Sequence, residues 1–314
     1  MTGPTRFRPH QELGRGQEFD TIRALMARWG DLVSDIGDDA AVLPPVRGVH
    51  VISTDACVED VHFRAHWIAP REVGVRAAAA ALSDLAAMGA EAEQVLVAFQ
   101  VPPRWDAQLL EVADGLADPI RAAGARIVGG NLSRGPAFGI TLTVIGDAPR
   151  PVPRSGARVG DLVVVTGVLG GPGAAIAAWE AGEEPAPWAR ARFAAPAPRL
   201  AAGQLLAEAG ATSMLDISDG LGADARHLGA ASGVWLAIDP ELLPRGPGIT
   251  PQAALASGEE YELLATIPDD ALAGLRARWT ADVPLTVIGR VVDAAEALRV
   301  PNPDIAGHDH FQRR

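Results

Sequence analysis

The segment VGVRAAAAALSDLAAMGAEAEQVLVAFQV, residues 73–101, contains the two patterns that decide the fold class. Its first part is apolar and rich in Ala, and it predicts a helix over 70–89. Arg76 and Asp84 lie within that helix, which favours a buried helix over one that crosses a membrane. The run over 94–101 is rich in Val and predicts a strand. Because helical and strand patterns alternate along the chain, we expect an α/β or α+β fold.

The chain has 314 residues, which is long enough for two domains. Both halves are expected to contain strands and helices. Further strands are predicted at 49–54, 125–129, 138–146, 161–166, 213–217, 234–238, 261–267 and 285–292. Further helices are predicted at 17–28, 106–123, 172–181, 199–209, 220–231 and 268–278. Pro, Gly and Arg dominate segment 146–161, so we expect domains over 1–150 and 151–314. The Pro- and Ala-rich segment 181–199 is expected to be a loop.

Charge and cysteine content exclude several classes of protein. The net charge, 27 − 39 = −12, would repel nucleic acids and anionic membranes. All of the basic residues are Arg, which excludes a P-loop lysine and Schiff-base chemistry. The single cysteine, Cys57, excludes internal disulfides and cysteine zinc sites and is typical of the reducing cytoplasm. The N-terminus has no apolar run, so no signal peptide is expected.

Aspartates recur at predicted strand ends and inside apolar segments. They are Asp38 and Asp39 in DIGDDAAVL (35–43), Asp55 after Ser53 and Thr54, Asp84, and Asp216, Asp219 and Asp224 in LDISDGLGAD (215–224). Asp84 lies beside the apolar stripe of its helix, where an unpaired carboxylate would be costly. Shared divalent cations would satisfy these groups, and a set of hard oxygens favours Mg²⁺. Helix caps and Asx-turns, or an ion pair with Arg for Asp84, are the alternatives.

Two glycine-rich segments are candidates for binding an anion. VGGNLSRG (128–135) follows a predicted strand, and VTGVLGGPGAA (165–175) opens a predicted helix, whose N-terminus favours phosphate. Both patterns also fit simple glycine-rich connections. Arg154, just after the proposed boundary, could reach a phosphate from the hinge between the domains or could be an ordinary surface residue.

Nine segments, in this order, resemble the thiamine-monophosphate kinase family of the aminoimidazole-ribonucleotide-synthetase-like superfamily. They are GQEF (16–19), IGDDAAVL (36–43), STDACVEDVHF (53–63), LSDLAAMGA (82–90), GGNLSRG (129–135), RSGARVGD (154–161), LDISDGL (215–221), SGEEYEL (257–263) and GHDHF (307–311). The resemblance implies a two-domain α/β protein that forms a homodimer. It also implies that the N-terminal domain binds ATP and Mg²⁺ and contributes to a dimeric β-barrel.

Site residues are implied where positions match the family. The implied ligands of several Mg²⁺ ions are Asp39, Ser53, Thr54, Asp55, Asp84, Asp216 and Asp219, with Asp38 assisting Asp39. The implied ATP contacts are Gly130, Asn131, Arg154 and Ser218, and the implied substrate contacts are His62, Glu259 and His308. Taken without the family, His62 is also typical of a satisfied residue at a strand edge, and Glu259 of a solvated acid.

The implied reaction is transfer of phosphate from ATP to thiamine phosphate, which gives thiamine diphosphate and ADP. The nucleophile is an already ionised phosphate oxygen, so no catalytic base is expected. The chain departs from the family at Ala81, Asn131, the turn 170–173, Glu260 and His308. These departures keep open a non-catalytic nucleotide-binding paralogue, and a sister ATP-dependent enzyme of the superfamily is a further alternative.

Overall fold

Each half of the chain builds its own β-sheet. The computed structural model describes residues 17–34, 36, 40–41, 43 and 45–295. The chain forms two compact units, the first from residues 1–85 and 91–149 and the second from residues 86–90 and 150–314. The short segment 86–90 therefore groups with the second unit, although it precedes the predicted boundary by about sixty residues.

Among the described residues, the sheet of the first unit has four strands. They are β1 (Val49–Val58), β2 (Glu91–Val101), β3 (Arg126–Arg134) and β4 (Gly139–Ala148). Their order is β1-β4-β2-β3, so β1 and β3 are the edge strands. β4 is antiparallel to both of its neighbours, whereas β2 and β3 are parallel. The site residues of this unit lie mainly on the two edge strands.

Three helices accompany that sheet: α1 (Gln17–Trp29), α2 (Pro70–Ala87) and α3 (Leu109–Ala122). α2 is buried along nearly its whole length, and its alanines allow close packing. Gly74 and Gly115 lie where α2 and α3 cross, and a Cβ on either would collide with the opposite main chain. No helix among the described residues has the length and apolar character needed to span a membrane.

Within the described ranges, the sheet of the second unit has five strands, all paired antiparallel. They are β5 (Leu162–Thr166), β6 (Ser213–Asp216), β7 (Val234–Ile238), β8 (Leu263–Ile267) and β9 (Leu285–Asp293), in the order β6-β8-β5-β9-β7. The central strand β5 is buried on both faces because Val163 and Val165 belong to one apolar cluster and Leu162 and Val164 to another.

In the part of the second unit that the structure describes, six helices surround that sheet. They are α4 (Gly171–Glu180), α5 (Pro187–Ala194), α6 (Leu200–Glu208), α7 (Leu221–Ser232), α8 (Pro251–Ala256) and α9 (Leu272–Arg278). Leu221 and Leu228 of α7 pack into the first cluster, whereas Leu206 of α6 and Leu275 of α9 pack into the second. The sheet therefore lies between two layers of helices, as expected for an α/β fold.

All nine predicted strands and all seven predicted helices are present, but one connecting segment is predicted wrongly, one helix is missed and one strand is predicted too short. Segment 181–199 is not a loop throughout, because α5 lies within it. α8 was not predicted at all. Both helices begin with proline at their first position, where its missing N–H is not needed. The strand predicted at 125–129 is longer, because β3 continues through the glycine-rich segment to Arg134.

Candidate functional site

Strand β1 presents three predicted metal ligands in a row, and the strand geometry separates them. Ser53 and Asp55 face one side of the sheet and Thr54 the other. Ser53 Oγ donates a hydrogen bond to Asp84 Oδ2 over 2.5 Å, although the two residues are 31 positions apart. Asp84 is half-buried, on the helix where the sequence placed it. The structure therefore brings together two of the predicted ligands, one hydroxyl and one carboxylate.

The side chains of Thr54 and Asp55 already have partners. Thr54 Oγ1 donates to the carbonyl oxygen of Leu142 over 3.1 Å and accepts from the hydroxyl of Thr143 over 3.2 Å. Asp55 Oδ1 accepts from the N–H of Ala56 over 2.7 Å. The hydroxyl of Thr54 is thus hydrogen-bonded to β4, and its role as a metal ligand stays a prediction.

His62 closes the turn that follows β1. Its Nδ1 accepts a hydrogen bond from the N–H of Val58 over 3.1 Å. In the neutral ring this acceptor role places the proton on Nε2. His62 is therefore hydrogen-bonded within the turn after β1, and in the neutral ring its Nε2 is a hydrogen-bond donor.

Gly130 and Asn131 lie on edge strand β3. A Cβ at Gly130 would lie 1.8 Å from the carbonyl oxygen of Val97 on β2, so this position requires glycine for strand pairing. Asn131 is exposed. On the side away from β2, β3 forms an isolated parallel bridge with Val33, and the N–H of Ser34 donates to the carbonyl oxygen of Ile127 over 3.0 Å.

The turn between β6 and α7 carries the acidic residues of the second unit. Asp216 ends β6 and is 6% exposed. Asp224, in the first turn of α7, accepts hydrogen bonds from the N–H groups of Ser218, Asp219 and Gly220, each over 3.1 Å. Burial and the charges of Asp219 and Asp216 raise the pKa of Asp224 to about 7. The repulsion between these carboxylates is what a bound cation would relieve.

Segment 257–262 lies beside that turn and carries Glu259. The N–H of Glu259 donates to the carbonyl oxygen of Ser218 over 2.7 Å, and the N–H of Tyr261 donates to that of Ile217 over 2.9 Å. A predicted ATP contact and a predicted substrate contact are therefore neighbours. Glu259 and Tyr261 have φ of 62° and 52°, which is strained for residues other than glycine. Tyr261 Oη donates to Glu259 Oε2 over 2.6 Å.

Two buried glutamates alternate with these strained residues. Glu262 accepts from Thr166 Oγ1, from Arg192 Nη2, and from both Nε and Nη2 of Arg199. Glu260 Oε1 accepts from Ser257 Oγ over 2.6 Å. Sequence reasoning missed this network, although a glutamate within the apolar strand pattern 261–267 was a signal that Glu262 is buried and paired.

The glycine-rich turn before α4 is bound within the protein itself. The N–H of Gly170 donates to Glu260 Oε1 over 2.5 Å, and the N–H of Gly173 donates to Ser257 Oγ over 3.0 Å. Of the two interpretations of segment 165–175, the structural connection is the one supported here. Ala81, another position at which the chain departs from the family, is fully buried in α2.

The remaining predicted residues are exposed or lie outside the described part of the chain. Arg154 is exposed, and its carbonyl oxygen accepts from the hydroxyls of Ser213 and Ser232. Asp38, Asp39 and His308 lie outside the described residues. Within the described ranges, no three His, Cys, Asp or Glu side chains are grouped closely enough to hold a metal ion. The predicted ligand set therefore stays a prediction that draws on both units.

Comparisons with known proteins agree with this architecture. The family model "AIR synthase related protein, N-terminal domain" matches residues 37–148, and its C-terminal counterpart matches residues 158–300. Thiamine-monophosphate kinase from Mycobacterium tuberculosis is 35% identical over 316 residues, covering 96% of this chain and 92% of the relative. The crystal structure of that enzyme from Stenotrophomonas maltophilia is 31% identical and superposes with a TM-score of 0.75, covering 88% of this chain and 93% of the other.

A structure of AaThiL complexed with AMPPCP and TMP is also similar, with 29% identity and a TM-score of 0.75 over 96% of this chain and the whole of the other. The two matched domains define an AIR synthase related protein. Within that class, the chain belongs to the thiamine-monophosphate kinase family.

Proposed function

We propose that this protein transfers the γ-phosphoryl group of ATP directly to thiamine phosphate, giving thiamine diphosphate and ADP. The observation that carries the proposal is the similarity, over 96% of the chain, to a structure that contains AMPPCP and TMP. Membership of the kinase family at 35% identity over nearly the full length supports the same reaction.

Charge is the main difficulty of this reaction. Two polyanions must meet in a protein of net charge −12, and the acceptor phosphate is already ionised at neutral pH. Catalysis then depends on alignment of the two phosphates and on compensation of their charge, and it needs no catalytic base. Without lysine, compensation by side chains falls to arginine, and Arg154, exposed and without a side-chain partner among the described residues, is the proposed contact for the ATP phosphates.

Several Mg²⁺ ions are proposed as the remaining compensation. The residues proposed to hold them are Asp38, Asp39, Ser53, Thr54, Asp55, Asp84, Asp216 and Asp219. The donor set fits Mg²⁺ because it consists of hard oxygens, with Ser53 Oγ and Asp84 Oδ2 already 2.5 Å apart. When bound, Mg²⁺ would neutralise the phosphoryl oxygens during transfer. Burial raises the pKa of Asp224 and the charges of Asp219 and Asp216 raise it further, and this repulsion supports a cation near Asp216 and Asp219 as well.

The nucleotide and the substrate are proposed to meet near segments 217–220 and 257–262. Gly130, Asn131 and Ser218 would contact ATP through edge-strand and turn groups, and His62, Glu259 and His308 would contact thiamine phosphate. The carboxylate of Glu259 suits the cationic thiazolium ring, and Nε2 of His62 suits an anionic oxygen as a donor. The separation of Glu259 from Ser218 by a single main-chain hydrogen bond supports adjacent ATP and substrate sites.

A cytoplasmic homodimer is proposed as the active form. Edge strand β1 exposes Val49 and Ile52 to 50% and 58%, and apolar groups on an open edge favour a covering partner. Light scattering after size exclusion would test this, and a monomer at micromolar concentration would count against it.

The reaction is tested with purified protein, ATP, thiamine phosphate and a Mg²⁺ series, with separation of thiamine diphosphate by chromatography. Thiamine without phosphate serves as the control acceptor, since it lacks the ionised nucleophile. We expect ADP and thiamine diphosphate in equal amounts. ATP binding with no product at any Mg²⁺ concentration would instead favour the non-catalytic paralogue, for which the exposed Asn131 in place of an acid is the supporting observation.

A further inference from the structure

We propose that Tyr261 is a positioning residue that fixes the carboxylate of Glu259 for the substrate. This inference rests on the proposed function, because it assigns to Tyr261 a role in the binding of thiamine phosphate. Tyr261 is the single tyrosine of the chain, and it was not among the residues that the sequence pointed to.

The first support is the contact itself. Tyr261 Oη donates to Glu259 Oε2 over 2.6 Å, a short hydrogen bond to an acidic group. The Tyr261 residue is 8% exposed, so the ring is held by its surroundings, whereas Glu259 is half-buried. A long and flexible acid at the surface is thus tied to a rigid, buried donor.

The second support is the backbone that brings the two side chains together. Both residues are in the left-handed region, at φ of 62° and 52°, which costs stability at each position. Main-chain hydrogen bonds to Ser218 and Ile217 hold them there. Such strain persists only where the surroundings over-determine it, and it is concentrated at functional sites.

The third support is the buried ionic network on the other side of the segment. Glu262 accepts four hydrogen bonds, from Thr166, Arg192 and Arg199. Arg192 Nη2 also donates to the carbonyl oxygen of Glu260 over 3.3 Å. The residues that flank Tyr261 are therefore held by this network, which limits movement of the segment that carries the phenol.

A fixed carboxylate matters because thiamine phosphate carries a delocalised positive charge. A free glutamate would have to give up side-chain freedom when the ligand binds, and a glutamate that is already oriented gives up less. The phenol should therefore act on the affinity for thiamine phosphate, with little effect on ATP or on the transfer step.

The test is a double-mutant cycle with Tyr261→Phe, Glu259→Ala and both together. Tyr261→Phe should raise KM for thiamine phosphate five- to tenfold, the range expected when one ordinary hydrogen bond is lost. KM for ATP and kcat should stay within twofold. In the Glu259→Ala background the same substitution should have less than a twofold effect, because the group it positions is gone.

Thr212→Val is the matched control, since Thr212 Oγ1 also donates to a carboxylate, that of Asp161, over 2.6 Å in the same unit. It should leave KM for thiamine phosphate unchanged at a similar cost in melting temperature. An equal effect of Tyr261→Phe in both Glu259 backgrounds, or an equal rise in KM for ATP, would overturn the inference.

Binding of thiamine phosphate measured by calorimetry without ATP separates this inference from the proposed function. Absence of turnover by the wild type would overturn the function, whereas normal wild-type turnover with an indifferent Tyr261→Phe would overturn the inference alone. If Tyr261→Phe does not fold, Glu259→Asp replaces it, because Asp tolerates the left-handed region and withdraws the carboxylate from the phenol. Unchanged affinity in Glu259→Asp would then overturn the inference.

Discussion

Replacement of Glu260 by Gln should remove a pH dependence from the stability of the protein. Glu260 is 1% exposed, and burial raises its pKa from the ordinary 4.5 to about 7. The neighbouring charge of Glu262 acts in the same direction. Hydrogen bonds from Ser257 and Gly170 and the charge of Arg192 oppose the shift without cancelling it.

The sign follows from where the proton is held. Between pH 4.5 and about 7 the folded protein keeps a proton on Glu260 that the unfolded chain has released. The contribution of this proton to the free energy of unfolding is complete below pH 4.5 and is lost as the pH rises through about 7. At about 1.4 kcal/mol per pH unit, the interval corresponds to at most about 3 kcal/mol. Gln keeps the volume and the acceptor oxygen but takes up no proton.

The assay is urea unfolding of the ligand-free protein between pH 4.5 and 8, followed by tryptophan fluorescence. As the pH rises across this range, the free energy of unfolding of the wild type should fall by up to about 3 kcal/mol more than that of Glu260→Gln. Asp224, whose pKa is also raised to about 7, titrates in both proteins, so the difference between them isolates Glu260. Glu208→Gln, at an exposed position of α6, is the control. Parallel curves for the wild type and Glu260→Gln would refute the reasoning.

Three further outcomes are expected. Asp84→Asn should raise the Mg²⁺ concentration needed for half-maximal turnover at least tenfold. Asp114→Asn, which only breaks an ion pair between α1 and α3, should leave it unchanged. The same Mg²⁺ requirement in both variants would show that Asp84 is not part of the metal site. Asn131→Asp should lower that Mg²⁺ requirement by adding a charge, and no change would mean that this side chain does not meet metal. Gly130→Ala should cost about 1–3 kcal/mol in thermal unfolding because its Cβ would meet a carbonyl oxygen of β2 at 1.8 Å, whereas Gly139→Ala, with its nearest contact at 3.9 Å, should be nearly neutral.

The strands could be predicted because the burial of each strand is visible in the apolar pattern of its own residues. Strand β5 was predicted from the sequence DLVVVT at 161–166. Both of its faces are buried, so the strand is a continuous apolar run and does not alternate between apolar and polar residues. Helix α5 escaped prediction because its proline- and alanine-rich sequence was interpreted as a loop, and α8, which is six residues long, also begins with proline. The continuation of β3 through 129–134 escaped for a related reason, since glycines that allow strand pairing resemble glycines that make turns.

The candidate site was predictable as residue types and less so as contacts. Asp84 stood out as an acid in an apolar helix, but its pairing with Ser53 depends on how α2 packs on the sheet. The network around Glu262 depends on Arg192, which lies in the helix that was taken for a loop. Tyr261 could not be found at all, because its position relative to Glu259 is set by two unusual backbone angles.

Those two backbone angles also bear on how this enzyme would respond to selection for heat resistance. Glycine at position 259 or 261 would relieve strain of about 1 kcal/mol each, set against the added freedom of the unfolded chain. A screen that rewards only survival at high temperature would therefore tend to discard the acid and the phenol together. Screens that also score turnover should retain both and seek their stability elsewhere in the chain.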